Sequence, residues 1–417
     1  MALLPKGVPM WDTDGLTGPE GEDWRVPVAE LEKRQKNLSI SLSNNNIKSA
    51  WINDPVDLYW LAGNRQNGGL HISAEGEVTQ YVRSSLERAK FESGGNDSPH
   101  EIKTHPRMAN LKDEIGDSPA LQLGRMTAND ASFLQSKLGG EGEDCTAILW
   151  KLRETKSSWE IDQMKECGKI QKQMFEALNS TGMDAGEGIT ELELAAVADS
   201  VSRSAGFGGM VRMRKWPMDC DRVVIASGSS GAIPSYFDSA IGGSGANPLA
   251  SLGAGHKKIR KGEPILVDIV HVHRGYITDM TRMFSIGKPE KIWIERLEQM
   301  EEIAKEVRNS LAKGDNCSKA WEIGYSISEG MGFENHLMGM PPEQSRFLGH
   351  SIGLELDETP VVASGFDSEL HVGGTMAIEP KVIFPEGAVG IEDCWYRDEN
   401  GLQCLSSGSS FPSWTEW

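Results

Sequence analysis

Side chains that commonly bind metal ions recur in order over the last third of the chain. They are Asp268, Asp279, His350, Glu379 and Glu392. Four carboxylates and one imidazole can hold two divalent cations about 3.5–4 Å apart, and a water shared by such a pair becomes a hydroxide nucleophile. The ordered set therefore predicts a hydrolase with two divalent metal ions.

Each of these residues also has a simpler explanation when it is taken singly. Asp268 lies in an apolar run typical of a buried strand, where an ionised carboxylate is costly unless it is paired or binds a metal. Asp279 follows after a turn at Gly275, so two adjacent strands would point both carboxylates at one place. A structural salt bridge explains that pair as well, and a hydrogen-bonded core residue would explain His350. Glu379 is another acid in an apolar strand, and the ordered set as a whole favours metal.

The segments around these residues resemble the pita-bread metallopeptidase family, in the branch of Xaa-Pro aminopeptidase and prolidase. The resemblance covers residues 155–405, and residues 52–63 are similar to the creatinase-type N-terminal domain of that branch. The matching segments are Ile225-Ala226-Ser227-Gly228, Lys261 to Asp268, Gly275 to Arg282, Gly349 to Glu355, Glu379-Pro380 and Gly390 to Asp393. The fold that this implies is an α/β N-terminal domain followed by an α+β pita-bread (creatinase/aminopeptidase fold) catalytic domain.

The resemblance also implies a role for each residue of the set. Asp268 and Asp279 would bind one ion, with Asp279 reaching the second. His350 and Glu379 would complete the second ion, and Glu392 would bridge both. Glu379 would also take a proton from the bridging water. The ions are expected to be Mn²⁺, Co²⁺, Fe²⁺ or Zn²⁺, because this ligand set suits all four.

Two histidines that the peptidases of this branch place around the substrate are replaced in this chain. Ser235 and Tyr236 occupy the region of the first, and Asp357, seven residues beyond His350, occupies the position of the second. An ionised carboxylate can only accept hydrogen bonds. Asp357 is therefore a candidate catalytic residue that would meet a cationic group of the substrate, the alternative being a salt bridge to a nearby Arg or Lys.

Three functions are compatible with these residues. The first is a metal-dependent hydrolase resembling Xaa-Pro aminopeptidase or prolidase, which cleaves a short peptide or a related amide. The second is a non-peptidase member of the fold, resembling creatinase, ectoine hydrolase or a lyase, which acts on a small zwitterion. The third is a binding module without catalysis. The complete ligand set favours a metal-using enzyme, because a binding module would have lost ligands.

The pattern of apolar residues predicts three regions. Residues 1–24 are an irregular arm, 25–154 the N-terminal α/β domain and 155–417 the catalytic domain. A helix from Trp159 to Leu178, with Ser157 or Ser158 as its N-cap, marks the boundary. Further helices are predicted at 30–42, 87–92, 191–205 and 291–311, and strands at 49–52, 69–73, 78–82, 222–226, 264–272, 283–286, 375–378 and 382–384. The glycine-rich stretch 242–255 is expected to form a loop over a site.

Composition excludes several classes of partner. The net charge of −19 argues against binding to nucleic acid and to an anionic membrane surface. Six cysteines without a CxxC pair form neither a zinc ribbon nor a disulfide scaffold. No apolar run reaches the length of a membrane-spanning helix, and no signal peptide is recognisable at Met1. We expect a cytoplasmic protein, and the resemblance implies a homodimer.

Overall fold

The structure is a computed structural model that describes residues 16–18, 21–215, 218–406 and 410–417. The described chain forms two compact units, the first ending at Arg153 and the second beginning at Glu154. The predicted boundary, between residues 154 and 155, lies one residue from this division. Most of the predicted arm, 1–24, lies outside the described residues.

The first unit is built around a mixed five-stranded sheet. Its helices are α1 (Val28–Asn44), α2 (Pro55–Ala62), α3 (Leu86–Glu92), α4 (Met108–Ile115), α5 (Ala128–Lys137) and α6 (Thr146–Arg153). Its strands are β1 (Ser49–Ile52), β2 (Gly68–Ser73), β3 (Val78–Val82), β4 (Glu101–Thr104) and β5 (Ala120–Leu121). They are ordered β4-β3-β2-β1-β5. Helix α2 begins at the cap residue Asp54, whose carboxylate accepts from the backbone N–H of Val56 at 2.9 Å.

The second unit begins with two long helices and a four-stranded sheet. The helices are α7 (Ser158–Ala185) and α8 (Glu191–Ser204), and the strands are β6 (Val223–Ser227), β7 (Ile265–His273) and β8 (Tyr276–Ser285), with β16 (Trp414–Glu416) at the edge. The order is β16-β8-β7-β6. Gln171 of α7 fastens the helix to the sheet, because its amide donates to the carbonyl oxygens of Ile269 at 2.6 Å and Thr278 at 2.9 Å.

A second sheet and a second helix pair complete this unit. The helices are α9 (Lys291–Lys313) and α10 (Cys317–Gly330), and the strands are β9 (Phe347–Ser351), β10 (Glu358–Ala363), β11 (Thr375–Ile378), β12 (Lys381–Phe384), β13 (Gly387–Gly390), β14 (Asp393–Asp398) and β15 (Gly401–Cys404). Strands β10-β9-β11-β14-β15 form a sheet in that order, and β12 and β13 form a hairpin. Apolar side chains of α9 and α10 share one buried core with these strands.

The predicted helices and strands are present, and two of them differ from the prediction by more than two residues at one end. Helix α7 starts where the sequence indicates, with Ser157 and Glu160 forming a reciprocal capping box, but it continues past Leu178 to Ala185. Strand β8 starts at Tyr276 rather than at Met283. The expected short strand is therefore a long one, and it carries Asp279. No helix in the described part of the chain has the length and apolar character needed to cross a membrane.

Candidate metal centre

Antiparallel pairing of β7 and β8 places the two aspartates on one face of the first sheet. Asp279 pairs with Val270, and Asp268 lies two residues before Val270 on the same strand. Side chains opposite each other in a sheet, and residues two apart on one strand, point to the same side. The register therefore directs both carboxylates to one place, as the spacing across Gly275 predicts.

The second sheet and its hairpin supply the remaining three residues. His350 lies in β9 opposite Ala377 of β11, and Glu379 follows directly after β11. Glu392 follows β13 and forms a β-bridge with Thr281 of β8, which joins the two halves of the site. The hydroxyl of Thr281 donates to Glu392 Oε2 at 3.0 Å.

All five predicted ligands meet in one cluster. Ligand atoms of Asp279, His350 and Glu392 lie within 4.8 Å of one another. His350 Nε2 lies 3.3 Å from Glu379 Oε1. Asp268 is joined to the cluster through Lys381, whose Nζ lies 3.5 Å from Asp268 Oδ2.

Neighbouring groups orient the ligands. Nδ1 of His350 lies 3.1 Å from the carbonyl oxygen of Ser351, which can only accept, so Nδ1 carries a proton and Nε2 faces the cluster. Arg282 is buried and donates to the backbone carbonyl of Glu392 at 2.9 Å and to the carboxylate of Asp393 at 2.8 Å. Arg282 thus fixes the segment that carries Glu392.

The carboxylates of the cluster carry more negative charge than the neighbouring positive groups neutralise. Burial, with Glu392 and Asp268 close by, raises the pKa of Asp279 well above its usual value. Burial and the nearby Glu379 raise the pKa of Glu392 to about 8. For Glu379 burial acts in the same direction, but Lys381 and His350 outweigh it and hold its pKa at about 2. Burial opposes protonation of His350, yet contact with Glu379 raises its pKa to about 9.

The cluster fits a divalent cation. Asp268 Oδ1 and Glu392 Oε1 are buried oxygens with no hydrogen-bond partner among the described residues. Buried anionic oxygens of this kind are costly unless a cation meets them. Carboxylates together with one imidazole suit a first-row divalent ion. Asp279, His350 and Glu392 would hold such an ion, with Asp268 and Glu379 beside them.

Lys381 is a member of the cluster that the sequence prediction missed. Its Nζ lies 2.7 Å from Glu379 Oε2 and 2.7 Å from Glu392 Oε2, and its side chain has 0% exposure. Although burial opposes its protonation, the surrounding carboxylates raise the pKa of Lys381 well above its usual value. A lysine followed by Val382 and Ile383 in an apolar strand, two residues beyond Glu379, was the signal that could have revealed it.

Asp357 lies near the cluster, but its carboxylate is already engaged. Its two oxygens accept hydrogen bonds from the backbone N–H groups of Arg214 at 2.5 Å and Lys215 at 3.1 Å. The role predicted from the sequence, a contact with a cationic substrate, stays a prediction. In the structure Asp357 holds the segment around residues 214–215 through these main-chain donors, and the alternative of a salt bridge to a nearby Arg or Lys also stays a prediction.

Ser235 and Tyr236, at the position of the first missing histidine, face elsewhere. The Tyr236 hydroxyl donates to the carbonyl oxygen of Asp219 at 3.1 Å, and Ser235 Oγ accepts from the N–H of Phe237 at 3.1 Å. Of this segment, Phe237 lines the cavity above the ligands. Among the described residues that line that cavity, His350 is the only one with an imidazole.

A cavity of about 520 Å³ opens over the ligands. Asp268, Asp279, His350 and Glu379 lie at its base. Its walls combine apolar side chains, among them Val224, Ile241, Leu252, Phe237, Phe347 and Phe366, with the charged residues Arg214, Lys215, Arg346, Asp238 and Asp357. Ile241 directly precedes the glycine-rich stretch 242–255 and Leu252 lies within it, as expected of a loop over a site. The volume suits a small ligand such as a short peptide.

A cluster of carboxylates and one imidazole beneath a cavity, on paired layers of strands and helices, is typical of a metal-dependent enzyme. The family model described as metallopeptidase family M24 matches residues 162–399, more than half of the chain. The chain belongs to metallopeptidase family M24, and its catalytic unit has the pita-bread fold. The protein is a metal-dependent peptidase.

Relatives and solved structures agree with this assignment. The chain is 23% identical over 381 residues to the Xaa-Pro dipeptidase of Pyrococcus furiosus, covering 90% of this chain and 98% of that relative. It is 28% identical over 380 residues to the Xaa-Pro dipeptidase of Pyrococcus horikoshii, with coverage of 90% and 97%. The structure of dipeptidase PepE from Mycobacterium ulcerans matches with a TM-score of 0.77 at 20% identity, covering 94% of this chain and 100% of that one. These relatives do not favour the non-peptidase alternative or a binding module.

Proposed function

We propose that the protein hydrolyses short peptides at an Xaa-Pro bond. The observation that carries this proposal is the cluster of Asp268, Asp279, His350, Glu379 and Glu392, the first four of which line the cavity. Support for the substrate comes from the two Pyrococcus relatives, which are named Xaa-Pro dipeptidases. We infer that these five residues form the metal centre of the chain.

The cavity walls support a short peptide with a free carboxylate. Arg214, Lys215 and Arg346 line the cavity, and a guanidinium or ammonium group there can pair with the terminal carboxylate of a dipeptide. The apolar surfaces of Phe237 and Phe347 can contact a proline ring, which has no N–H to satisfy. An Xaa-Pro dipeptide has a terminal carboxylate for the cationic side chains and a proline ring for the aromatic surfaces.

Glu379 is the residue to which we assign the proton transfer. Bound divalent ions supply Lewis-acid polarisation of the scissile carbonyl and acidify a water molecule. The Lys381 ammonium keeps the Glu379 carboxylate ionised, so that it can take the proton of the attacking water. The same carboxyl group then returns a proton to the proline nitrogen, which must gain one to leave. His350 and Asp279 serve as ligands in this scheme, and Asp357 positions the wall segment.

The number and identity of the ions are part of the proposal. The sequence predicts two ions, drawn from Mn²⁺, Co²⁺, Fe²⁺ and Zn²⁺, and the ligand types do not distinguish among these metals. The family requires divalent metal, but the count stays a prediction. Lys381 bears directly on it, as argued below.

The experiment that tests the substrate uses protein loaded with each metal in turn. Ala-Pro, Ala-Pro-Ala and Ala-Ala are incubated separately, and the products are quantified by mass spectrometry. Cleavage of Ala-Pro without cleavage of Ala-Ala supports the proposal, and cleavage of Ala-Pro-Ala would extend it to an aminopeptidase. The Glu379→Gln protein, purified identically, excludes a contaminating peptidase. No hydrolysis of either proline peptide under any metal would refute the Xaa-Pro assignment.

We also propose that the enzyme is a cytoplasmic homodimer. Support for the compartment comes from its cysteines, all six of which are free thiols. Support for the dimer comes from the resemblance to the prolidase branch. Light scattering tests the dimer, because the chain has a mass of 45.6 kDa and a dimer would have twice that value.

A further inference from the structure

Lys381 places a positive charge inside the candidate metal centre. Its ammonium contacts Glu379 Oε2 and Glu392 Oε2, both at 2.7 Å, and Asp268 Oδ2 at 3.5 Å. An ammonium group has three N–H donors, and here three different carboxylates face it. The side chain has no exposure to solvent, so it belongs to the interior of the site rather than to the cavity wall.

The backbone register determines this position. Lys381 lies two residues beyond Glu379 and pairs with Gly390, which lies two residues before Glu392. Alternation along the two segments therefore directs Lys381 between the two glutamates. Gly390 makes room for it, because a Cβ at this glycine would lie 2.3 Å from Cγ of Lys381. The absence of a side chain at Gly390 thus leaves the space that the lysine side chain fills.

Of Asp268 and Glu392 the ammonium faces one carboxylate oxygen each and leaves the other without contact. Glu392 Oε1 and Asp268 Oδ1 are buried without a hydrogen-bond partner among the described residues. Asp279, His350 and Glu392 each offer a ligand atom within 4.8 Å of the others. A second divalent ion bound to the same Glu379 and Glu392 oxygens as the ammonium would face a like charge at contact distance.

We propose that the ammonium group of Lys381 occupies one of the two cation positions implied by the resemblance, so that the centre binds a single divalent ion. That ion lies in the remaining position, held by Asp279, His350 and Glu392. The inference rests on the metal site of the proposed function but not on its substrate. Lys381 is then a permanent internal cation that holds Glu379 and Glu392 in place without taking part in metal exchange.

Metal stoichiometry tests this inference without measuring activity. Chelator-stripped protein is titrated with Mn²⁺ by calorimetry, the bound metal is counted by mass spectrometry after dialysis, and electron paramagnetic resonance separates an isolated Mn²⁺ ion from a spin-coupled pair. We expect one Mn²⁺ per chain for the unmodified protein, with the signal of an isolated ion. Two tightly bound ions per chain, with a coupled signal, would overturn the inference.

Two variants test the part played by the lysine. Lys381→Ala removes the charge and empties the space of the lysine side chain. We expect this variant to bind a second Mn²⁺ and to show the coupled signal. Lys381→Arg keeps the charge and is expected to retain one ion. A folded Lys381→Ala protein that still binds one ion would show that something other than the lysine limits the count. If that variant does not fold, the count in the unmodified protein still decides.

The outcome is separable from that of the proposed function. An enzyme that binds one ion and cleaves no Xaa-Pro peptide retains the inference and loses the substrate. An enzyme that cleaves Ala-Pro and binds two ions retains the substrate and loses the inference.

Discussion

The contacts of Glu379 suit a residue that accepts and donates a proton. Its two oxygens face different partners, His350 Nε2 at 3.3 Å and Lys381 Nζ at 2.7 Å. The Lys381 ammonium keeps the carboxylate ionised despite its burial. Its side chain also reaches the base of the cavity, where a substrate would lie. One carboxylate therefore touches a metal ligand, the internal lysine and the substrate space.

Replacing Glu379 by Gln is expected to slow hydrolysis strongly while leaving the fold intact. The amide keeps the shape of the side chain but cannot accept the proton of water, so kcat should fall by roughly 10²–10⁴-fold. Steady-state kinetics on Ala-Pro measure the effect. Glu386→Gln, the same exchange at an exposed residue of the β12–β13 turn, is the matched control and should leave kcat unchanged. Equal activity of the two variants would remove the role assigned to Glu379.

Asp357→Asn distinguishes a positioning role from contact with a cationic substrate. An amide in place of the carboxylate would turn an N–H donor towards one of the two backbone donors at Arg214 and Lys215. We expect the wall segment to loosen, with KM for Ala-Pro rising on the order of tenfold and kcat changing little, a loss of about 1.4 kcal/mol. The exposed Asp367→Asn serves as the control. A selective loss for substrates with an extra positive charge would instead support direct contact.

Helix α7 positions the strands that carry both aspartates. Gln171 of this helix donates to carbonyl oxygens on β7 and on β8. The helix start is defined by the capping box, in which Ser157 Oγ accepts from the N–H of Glu160 and Glu160 accepts from the N–H of Ser157. The stability of the cap therefore contributes to the strand pair below it.

The two serines at this helix start should respond differently to alanine. Ser157→Ala removes the cap and is expected to lower the free energy of unfolding by about 1 kcal/mol. Ser158→Ala changes the first helical residue, and we expect little loss, since alanine favours helix by up to about 0.5 kcal/mol over serine. Urea unfolding of the two variants measures the difference. Equal destabilisation would contradict the assignment of Ser157 as the cap.

The elements whose apolar pattern is regular were predictable, and those shaped by distant contacts were not. Strand β8 looked shorter because polar residues interrupt it, yet Thr278 pairs with Gln171 and Arg282 with Asp393 in the interior. Helix α7 continues through the polar residues that follow Leu178, because Gly182 packs against the ring of Trp417. Neither partner is visible in local sequence.

The candidate site divides in the same way. Its carboxylates and His350 could be recognised from their apolar surroundings, their order and the family resemblance. Lys381 carried only the weaker signal of a lysine in an apolar strand, because its inward direction depends on the pairing with Gly390 and on the position of Glu392 across the hairpin. For a charged residue close in sequence to a recognised ligand, the pairing of its strand therefore decides whether its side chain points into the site.

At the scale of the whole molecule, a buried imidazole makes stability depend on pH. Nδ1 of His100, in the first unit, lies 3.0 Å from the amide nitrogen of Gln35, which also donates to the carbonyl oxygen of Leu61. That nitrogen is a donor, so Nδ1 must accept and the ring must be neutral. Burial lowers the pKa of His100 from 6.5 to about 4.

The sign of the effect follows from where the proton binds. Between pH 6.5 and about 4 the unfolded chain protonates this histidine while the folded chain does not, so the stability contribution is complete above pH 6.5 and is lost as the pH falls. The loss amounts to at most about 3 kcal/mol. We expect the urea midpoint to fall across this range, and to fall less steeply in His100→Gln. The same exchange at the exposed His256 should preserve the slope. Identical slopes in all three proteins would mean that other groups, such as the many carboxylates of this acidic chain, control its acid lability.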